Sequence, residues 1–150
     1  MLNKPSLVTR VAVGKTTGFA VGLLGFVTLP YLWSDADLMM RWGFLLWYTT
    51  VGVVIGMAGV FTWHPVLRMR IPWWALGALL GAWLNFVLAL LIYDPLAQAM
   101  VAVFGPELPL TSPFWFCLEG ALVGCFIAFL ATKFGGEGPK TVRSLEAPDK

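Results

Sequence analysis

One carboxylate inside a long apolar stretch is the feature of this sequence with the clearest chemical meaning. Glu119 lies six residues after Pro113, so a helix that begins near this proline places it about 9 Å from the helix end. In a membrane, a charged side chain costs about 2.5–3.5 kcal/mol on insertion scales, so such a residue must face protein, water or a partner. We weigh two interpretations: a structural acid that is paired or reaches the outer surface, and a group that couples the movement of an ion or a proton.

Polar residues in neighbouring apolar stretches stand at a depth similar to that of Glu119. Asn85 follows Gly81 by four residues, which places it on the same helix face as that glycine. Thr49 and Thr50 occupy the corresponding level of the second stretch. We therefore expect Glu119, Asn85 and Thr49 to form one buried polar layer.

Arg41, at the start of the second apolar stretch, is an alternative partner for Glu119. Asp37 stands four residues before Arg41, a spacing at which opposite charges on a helix attract each other weakly. The sequence leaves both pairings open.

The sequence contains no arrangement that is typical of an enzyme or of a metal site. It has a single histidine, and its two cysteines, Cys117 and Cys125, are eight residues apart with no Cys-x-x-Cys. In a helix this spacing separates them by about 12 Å, which is too far for a disulfide. No nucleophile–base pair and no pair of carboxylates is recognisable. We therefore expect no catalytic activity, no metal ion and no cofactor.

A small group of basic residues follows the second apolar stretch. His64, Arg68 and Arg70 stand where a span ends, and they are predicted to contact lipid headgroups. The net charge of the whole chain is only +2, and no basic run resembles a nucleic-acid-binding stripe. The predicted partner of this group is therefore the bilayer rather than a nucleic acid.

The elements that must position these residues are membrane-spanning helices. Hydrophobic residues make up 59% and charged residues 12% of the 150 residues, and the mean hydropathy is +0.79. A soluble domain of this size could not bury so much apolar surface. Four apolar stretches of about 20 residues, the length that crosses a bilayer, lie at 11–33, 41–63, 73–93 and 113–133. We predict an all-α membrane protein, a four-transmembrane-helix bundle.

Each of the four stretches carries glycines that are four residues apart. This spacing stacks them on one helix face and lets another backbone approach closely, which is how helices associate in lipid. The predicted packing positions are Gly18, Gly22, Gly52, Gly56, Gly77, Gly81, Gly120 and Gly124.

The two halves of the chain share a pattern. The motif Trp-x4-Gly-x3-Gly at Trp47–Gly56 recurs at Trp115–Gly124, 68 residues later. This favours two repeated hairpins in parallel orientation, although chance matching among glycine-rich apolar stretches explains the pattern equally well.

The distribution of charge orients the bundle. By the positive-inside rule, it predicts an integral protein of the bacterial inner membrane with both termini in the cytoplasm. An alternative is that residues 1–36 form a cleaved signal peptide that ends in Ser34-x-Ala36, although Lys15 interrupts its apolar region. The basic residues at the termini and in the middle loop that carry the orientation are Lys4, Arg10, Arg68, Arg70, Lys133, Lys140 and Arg143.

Two further segments complete the predicted organisation, in which 1–134 is the membrane domain. Within the third loop, 94–112, the apolar run Leu96–Phe104 is expected to form a short helix that covers the outer end of the bundle as a lid; a docking surface for a partner is the alternative. Residues 135–150 are polar and lack periodicity, so we expect a disordered cytoplasmic tail.

These features favour two functions. The glycine faces and the small number of charges inside the spans indicate an assembly or accessory subunit, which packs on itself or on a larger membrane complex. The alternative is a small oligomeric channel or carrier for an ion, a proton or a small solute that uses Glu119 and Asn85. A transporter usually requires polar residues through both halves of the membrane, whereas the polar layer predicted here stands in the outer half alone.

Overall fold

The chain, in a computed structural model that describes residues 6–61, 63–64, 68–108 and 111–142, is built from helices and one short β-hairpin. The two strands of the hairpin pair antiparallel. The elements in chain order are α1 (Leu7–Leu32), α2 (Leu38–Ala58), β1 (Trp63–His64), β2 (Met69–Arg70), α3 (Trp73–Leu91), α4 (Tyr93–Phe104) and α5 (Trp115–Gly135).

Helices α1, α2, α3 and α5 are long and apolar enough to cross a membrane, and they pack together as a bundle. The predicted fold class is therefore confirmed. The largest difference in boundaries is at α2, which ends at Ala58 rather than near 63. There the backbone closes into turns, with the Gly59 and Val60 N–H groups bonded to the carbonyls of Ile55 and Met57, and then leads into β1.

Helices α1 and α2 approach so closely that their backbones touch at glycines. A Cβ added at Gly18 would overlap the carbonyl oxygen of Tyr48 and would lie 3.0 Å from the Cα of Gly52. A Cβ added at Gly52 would in turn overlap the carbonyl oxygen of Gly14. Such close approach is favourable in lipid, where van der Waals packing rather than the hydrophobic effect holds helices together.

Helices α3 and α5 form a second pair of the same kind. A Cβ added at Gly81 would overlap the carbonyl oxygen of Gly120 and would lie 3.0 Å from the Cα of Gly124. A Cβ added at Gly77 would lie 2.5 Å from the Cβ of Ala128. The glycines predicted as packing positions in all four spans thus make their contacts within one chain.

The two glycine-packed pairs repeat the same contact in a register different from the predicted one. Gly52 and Gly124 each face a glycine carbonyl and a glycine Cα of the opposing helix, and an added Cβ would lie 3.1 and 3.0 Å from those Cα atoms. By these contacts Gly52 corresponds to Gly124, whereas the Trp-x4-Gly-x3-Gly pattern aligned it with Gly120. The same shift of one helical turn brings Asn85 into the place that Gly22 occupies in the first pair.

The two pairs join along α1 and α5, while α2 and α3 separate toward one end. The Ser6 N–H donates to the carbonyl of Gly135 at 3.0 Å, which ties the start of α1 to the end of α5. Between the pairs lies an apolar core of Val51, Ile55, Ile127 and Ala128. Toward the start of α2, a lateral groove opens between α2 and α3.

Helix α4 is the short helix that the sequence predicts in the third loop. Its residues Leu96, Ala99 and Met100 are buried. Leu96 packs in a core cluster with Tyr48 of α2 and Leu88 of α3, so α4 covers this end of the bundle. Residues 109 and 110 of the predicted lid lie outside the described residues.

The prediction of a disordered tail at 135–150 is wrong for the first part of this segment. Residues 136–142 fold back on the bundle, because the Gly138 N–H donates to the Gly59 carbonyl at 3.1 Å and Thr141 is completely buried. Positive φ angles at Gly136 and Gly138, 76° and 79°, allow this turn. Residues 143–150 lie outside the described residues.

Arg10 is buried at the end of the bundle where α1 begins, with 1% of its surface exposed. Its Nε donates to the Gly56 carbonyl at 3.2 Å, and its Nη1 donates to the Thr132 hydroxyl at 3.2 Å and to the Gly136 carbonyl. These acceptors lie where α2 and α5 end, and a cation is favoured there because the last carbonyls of a helix lack helical partners. Arg10, which the sequence marked only as a topological charge, thus joins three spans.

Two glycines make room for the Arg10 side chain. A Cβ added at Gly59 would overlap its guanidinium group, and a Cβ added at Gly135 would overlap its Cγ. These glycines follow or end the helices whose carbonyls Arg10 binds, so the close contact and the hydrogen bonds depend on each other.

Alanine at a glycine contact should destabilise the bundle. Gly18→Ala and Gly81→Ala place a Cβ against backbone atoms, so we expect each to lower the free energy of unfolding by about 1–3 kcal/mol, the usual cost of overpacking. Gly25→Ala in α1 is the matched control, because nothing lies within 4 Å of its added Cβ. Unfolding in mixed micelles, followed by circular dichroism, measures the difference. Equal stability of the three variants would contradict the proposed role of these contacts.

Removal of the Arg10 guanidinium should also destabilise the bundle. Arg10→Met leaves the Gly56 and Gly136 carbonyls without a charged donor, and we expect a loss of about 1.5–3 kcal/mol in the free energy of unfolding. Lys15→Met in the same helix is the control, since Lys15 is exposed. The same unfolding assay applies, and a loss in the control as large as that in Arg10→Met would refute the specific role of Arg10.

Candidate functional site

Three spans bring a tyrosine, an asparagine and a glutamate together inside the bundle. Tyr48 comes from α2, Asn85 from α3 and Glu119 from α5. The Tyr48 hydroxyl donates to Glu119 Oε2 at 2.5 Å, and Asn85 Nδ2 donates to the same oxygen at 2.8 Å. Trp47 completes the group, since its indole N–H donates to Asn85 Oδ1 at 3.0 Å. We call these four residues the polar cluster.

The glycine contact between α3 and α5 positions Asn85. A Cβ added at Gly120 would lie 2.7 Å from both Cβ and Cγ of Asn85, so the absence of a side chain at Gly120 gives Asn85 its place. At that distance from α5, Asn85 Nδ2 also reaches the Phe116 carbonyl at 3.1 Å. Asn85 therefore binds α2 and α5 at once from the centre of the bundle.

The members of the polar cluster satisfy much of one another's hydrogen-bonding capacity. Asn85 is completely buried and Tyr48 is 6% exposed, while Trp47 and Glu119 are half-buried. Among the described residues, every buried side-chain nitrogen and oxygen has a hydrogen-bond partner. The donors that Glu119 receives from Tyr48 and Asn85 are neutral groups. The cluster can thus hold the acid inside the bundle without a basic partner at Oε2.

Asn85 binds Glu119 as the sequence predicts, whereas the Thr49 hydroxyl, which was expected in the same polar layer, makes its hydrogen bond within α2. The Thr49 hydroxyl donates to the Leu45 carbonyl at 2.7 Å, and the Thr50 hydroxyl donates to the Leu46 carbonyl at 2.9 Å. Both bonds lie within α2, a common way for a threonine to satisfy its hydroxyl in a helix. Tyr48, one residue earlier, faces the bundle instead.

Arg41 makes neither of the two pairings that the sequence left open. Its Nε donates to the Phe26 carbonyl at 2.9 Å, and its guanidinium lies 4.3 Å from the centre of the Phe26 ring. Asp37 caps α2 instead, accepting the Met40 N–H at 2.7 Å. Arg41 therefore fastens the start of α2 to α1, away from Glu119.

Tyr48 and Trp47 are the cluster residues that sequence reasoning missed. Tyr48 lies four residues before Gly52, on the inner face of α2, and this spacing was the signal that could have identified it. Which acceptor the indole N–H of Trp47 meets, and which donors reach the carboxylate of Glu119, depends on the rotation of three helices, and no pattern in one helix contains that information.

The residues predicted to contact headgroups lie around the β-hairpin. Arg68 is exposed in the turn and has a positive φ of 49°. Arg70 is exposed on β2 and lines a cavity together with Lys140. The side chain of His64 lies outside the described residues.

The lateral groove between α2 and α3 includes one member of the polar cluster in its lining. It has a volume of about 460 Å³, and that member is Trp47. Its remaining lining is mainly apolar: Asp37, Met39, Met40, Gly43, Phe44, Leu88, Leu91 and Ile92.

Among the residues that the structure describes, no three His, Cys, Asp or Glu side chains come together. Cys117 and Cys125 are both partly buried thiols outside any disulfide. Comparisons with models of protein families, with curated proteins and with solved structures find no match for this chain.

The hydrogen bonds of the polar cluster can be tested through the Glu119 carboxyl group. Asn85→Leu and Tyr48→Phe each remove a donor to Oε2, so we expect both to shift the carboxyl band of Glu119 in the infrared spectrum. Glu119→Gln identifies that band by its loss. Thr49→Val is the control and should leave the band in place, because the Thr49 hydroxyl binds within its own helix. If Thr49→Val shifted the band and the other two variants did not, the hydrogen bonds assigned here to Glu119 would be wrong.

Proposed function

We propose that this chain is a small polytopic protein of the bacterial inner membrane, with both termini in the cytoplasm, that acts as an accessory or assembly subunit. Its partner in this proposal is a transmembrane helix of another protein, which lies in the groove between α2 and α3. The observation that carries the proposal is the apolar groove itself, an open side on a bundle whose predicted packing glycines already make contacts within the chain.

The glycine faces are already occupied by helices of the same chain, so they are not the surface that a partner would bind. Along α2 the groove runs from Asp37 to Trp47, about three helical turns or 15 Å. Nothing lies within 4 Å of a Cβ added at Gly43, so this part of the wall is open to an incoming helix. Met39 and Met40 line the same wall, and methionines adapt readily to a partner surface.

The distribution of polar groups argues against a channel. The polar cluster lies on one side of the apolar core and Arg10 on the other, and the core between them contains Val51, Ile55, Ile127 and Ala128. An ion path would have to cross this core, where unpaired charges are costly.

A carrier is the second candidate, and one observation favours it. Trp47 lines the groove, its indole N–H donates to Asn85, and Asn85 in turn binds Glu119. A solute that entered from the membrane would therefore meet the polar cluster at Trp47, which Asn85 links to Glu119.

The proposed orientation rests on charge. The start of α1, the end of α2 and the end of α5 meet around Arg10. Lys133 in the last turn of α5 and Arg70 on β2 add positive charge toward this end, whereas Asp37 and Asp94 begin α2 and α4 at the other. Positive charge favours the cytoplasmic side.

Filling the groove should release the partner. Gly43→Leu places a side chain in open space, so we expect the fold to survive and the captured partner to be lost; Gly25→Leu, also in open space but on α1, is the matched control. A photo-crosslinker at Met39 in native membranes identifies which protein lies in the groove. Crosslinking to one membrane protein that Gly43→Leu abolishes and Gly25→Leu retains supports the proposal. Lipid as the sole crosslinked species would refute it.

The carrier alternative has its own measurement. Flux of protons or small solutes into liposomes is compared between the natural protein, Glu119→Gln and Thr49→Val. The accessory-subunit proposal predicts no specific flux from any of the three. A flux that Glu119→Gln abolishes and Thr49→Val leaves unchanged would establish the carrier instead.

A further inference from the structure

A second cavity lies at the opposite end of the bundle from the polar cluster. Its volume is about 880 Å³, and it is formed where the β-hairpin and the start of α3 meet the segment after α5. We call it the basic pocket. It is lined by Trp63, Arg70, Ile71, Pro72, Trp73, Glu137, Gly138, Pro139 and Lys140.

Two cations from distant parts of the chain reach the basic pocket. Arg70 comes from β2 and Lys140 from the turn after α5, and both are exposed. Arginine binds phosphate oxygens in a bidentate way and lysine binds them as a point charge. The pair therefore suits a phosphate group that is open to solvent.

The segment that carries Lys140 is held in place. The Gly138 N–H donates to the Gly59 carbonyl at 3.1 Å, and the Thr141 hydroxyl donates to the Gly138 carbonyl at 2.7 Å. Thr141 itself is completely buried, although it belongs to a polar segment. This fixed turn keeps Lys140 beside the hairpin that carries Arg70.

The acidic residue among those described in this lining does not cancel the two cations. Glu137 also lines the small cavity in which Arg10 lies, and it interacts electrostatically with Arg10. Glu137 thus also acts on a buried guanidinium, and the two cations outnumber the one carboxylate in this lining.

The aromatic residues of the basic pocket place it at the surface of a membrane. Trp73 begins α3, one of the spans, and its ring lies 5.7 Å from that of Phe129 on α5. Trp63 stands on β1 and is 56% exposed. Tryptophans favour the headgroup level of a bilayer because the ring is apolar and the N–H is polar. A ligand in the basic pocket would therefore lie at headgroup depth.

We infer that the basic pocket binds the phosphate of an anionic phospholipid, with Arg70 and Lys140 as its cationic ligands and Trp63 and Trp73 beside the glycerol and upper acyl region. Of the three residues predicted to contact headgroups, His64, Arg68 and Arg70, this inference uses Arg70 and adds Lys140. This inference is independent of the accessory role, since the α2/α3 groove lies at the other end of the bundle.

Lipid titration of the purified full chain tests the inference. Binding of phosphatidylglycerol in detergent is measured by native mass spectrometry and by the shift of the unfolding temperature. Each basic residue near a membrane surface contributes enough to change affinity about fivefold, so we expect about fivefold weaker binding for Arg70→Gln or Lys140→Gln and about thirtyfold for the double variant. Both residues are exposed, so the variants should fold.

Matched controls separate this site from general charge effects. Arg68→Gln removes one positive charge from the same hairpin but from outside the basic pocket, and it should bind phosphatidylglycerol as the natural protein does. Lys133→Gln, on the last turn of α5, should behave in the same way. Losses as large as those of Arg70→Gln in either control would overturn the inference.

The source of the phosphate is distinguished in the same assay. Phosphatidylcholine should bind more weakly than phosphatidylglycerol, and inorganic phosphate at the same concentration should produce no shift of the unfolding temperature. If inorganic phosphate stabilises the protein as strongly as phosphatidylglycerol and competes with it, the pocket is a site for a soluble phosphate and the lipid inference is wrong. Equal binding of both phospholipids would also overturn it.

Discussion

The architecture depends on backbone contact at glycines in a solvent that does not drive helices together. Lipid tails are as apolar as the side chains, so a bundle must gain its stability from close packing and from polar contacts. In this chain Gly18 meets Gly52 and Gly81 meets Gly124 with almost no space for a Cβ. At that separation, a side chain such as Asn85 reaches the opposing backbone and binds the Phe116 carbonyl directly. The close contact is thus the condition for the polar cluster.

The polar groups of the spans fall into two layers with an apolar core between them. In one layer, Glu119 is held by neutral donors from two other helices. In the other, Arg10 binds the ends of α2 and α5. Since both layers use their polar atoms internally, they stabilise the bundle. The apolar α2/α3 groove and the basic pocket, which we propose as recognition surfaces, lie at opposite ends of the bundle and differ in lining.

Sequence reasoning succeeded where the information lies within one helix and failed where it depends on several. The level of Glu119 and Asn85 follows from the rise of a helix, and their pairing was predictable because few polar residues share that level. Thr49 was expected in the polar layer and Tyr48 was missed, because depth alone does not reveal which way a side chain faces. Arg10 was counted as a topological charge, since two of its three acceptors are backbone carbonyls near the ends of α2 and α5, which residue type does not reveal.

The sequence by itself determined that this is a membrane protein, that it has four segments able to span the bilayer, and which small residues are available for helix contacts. These properties are sums and periodicities over single segments, so composition and spacing are sufficient for them. The tertiary structure alone decided that the glycines close pairs within one chain, that the repeat runs one turn out of the apparent register, and that the segment at 136–142 folds back on the bundle. Those outcomes depend on the relative rotation and height of packed helices, and many combinations of these satisfy the same one-dimensional pattern.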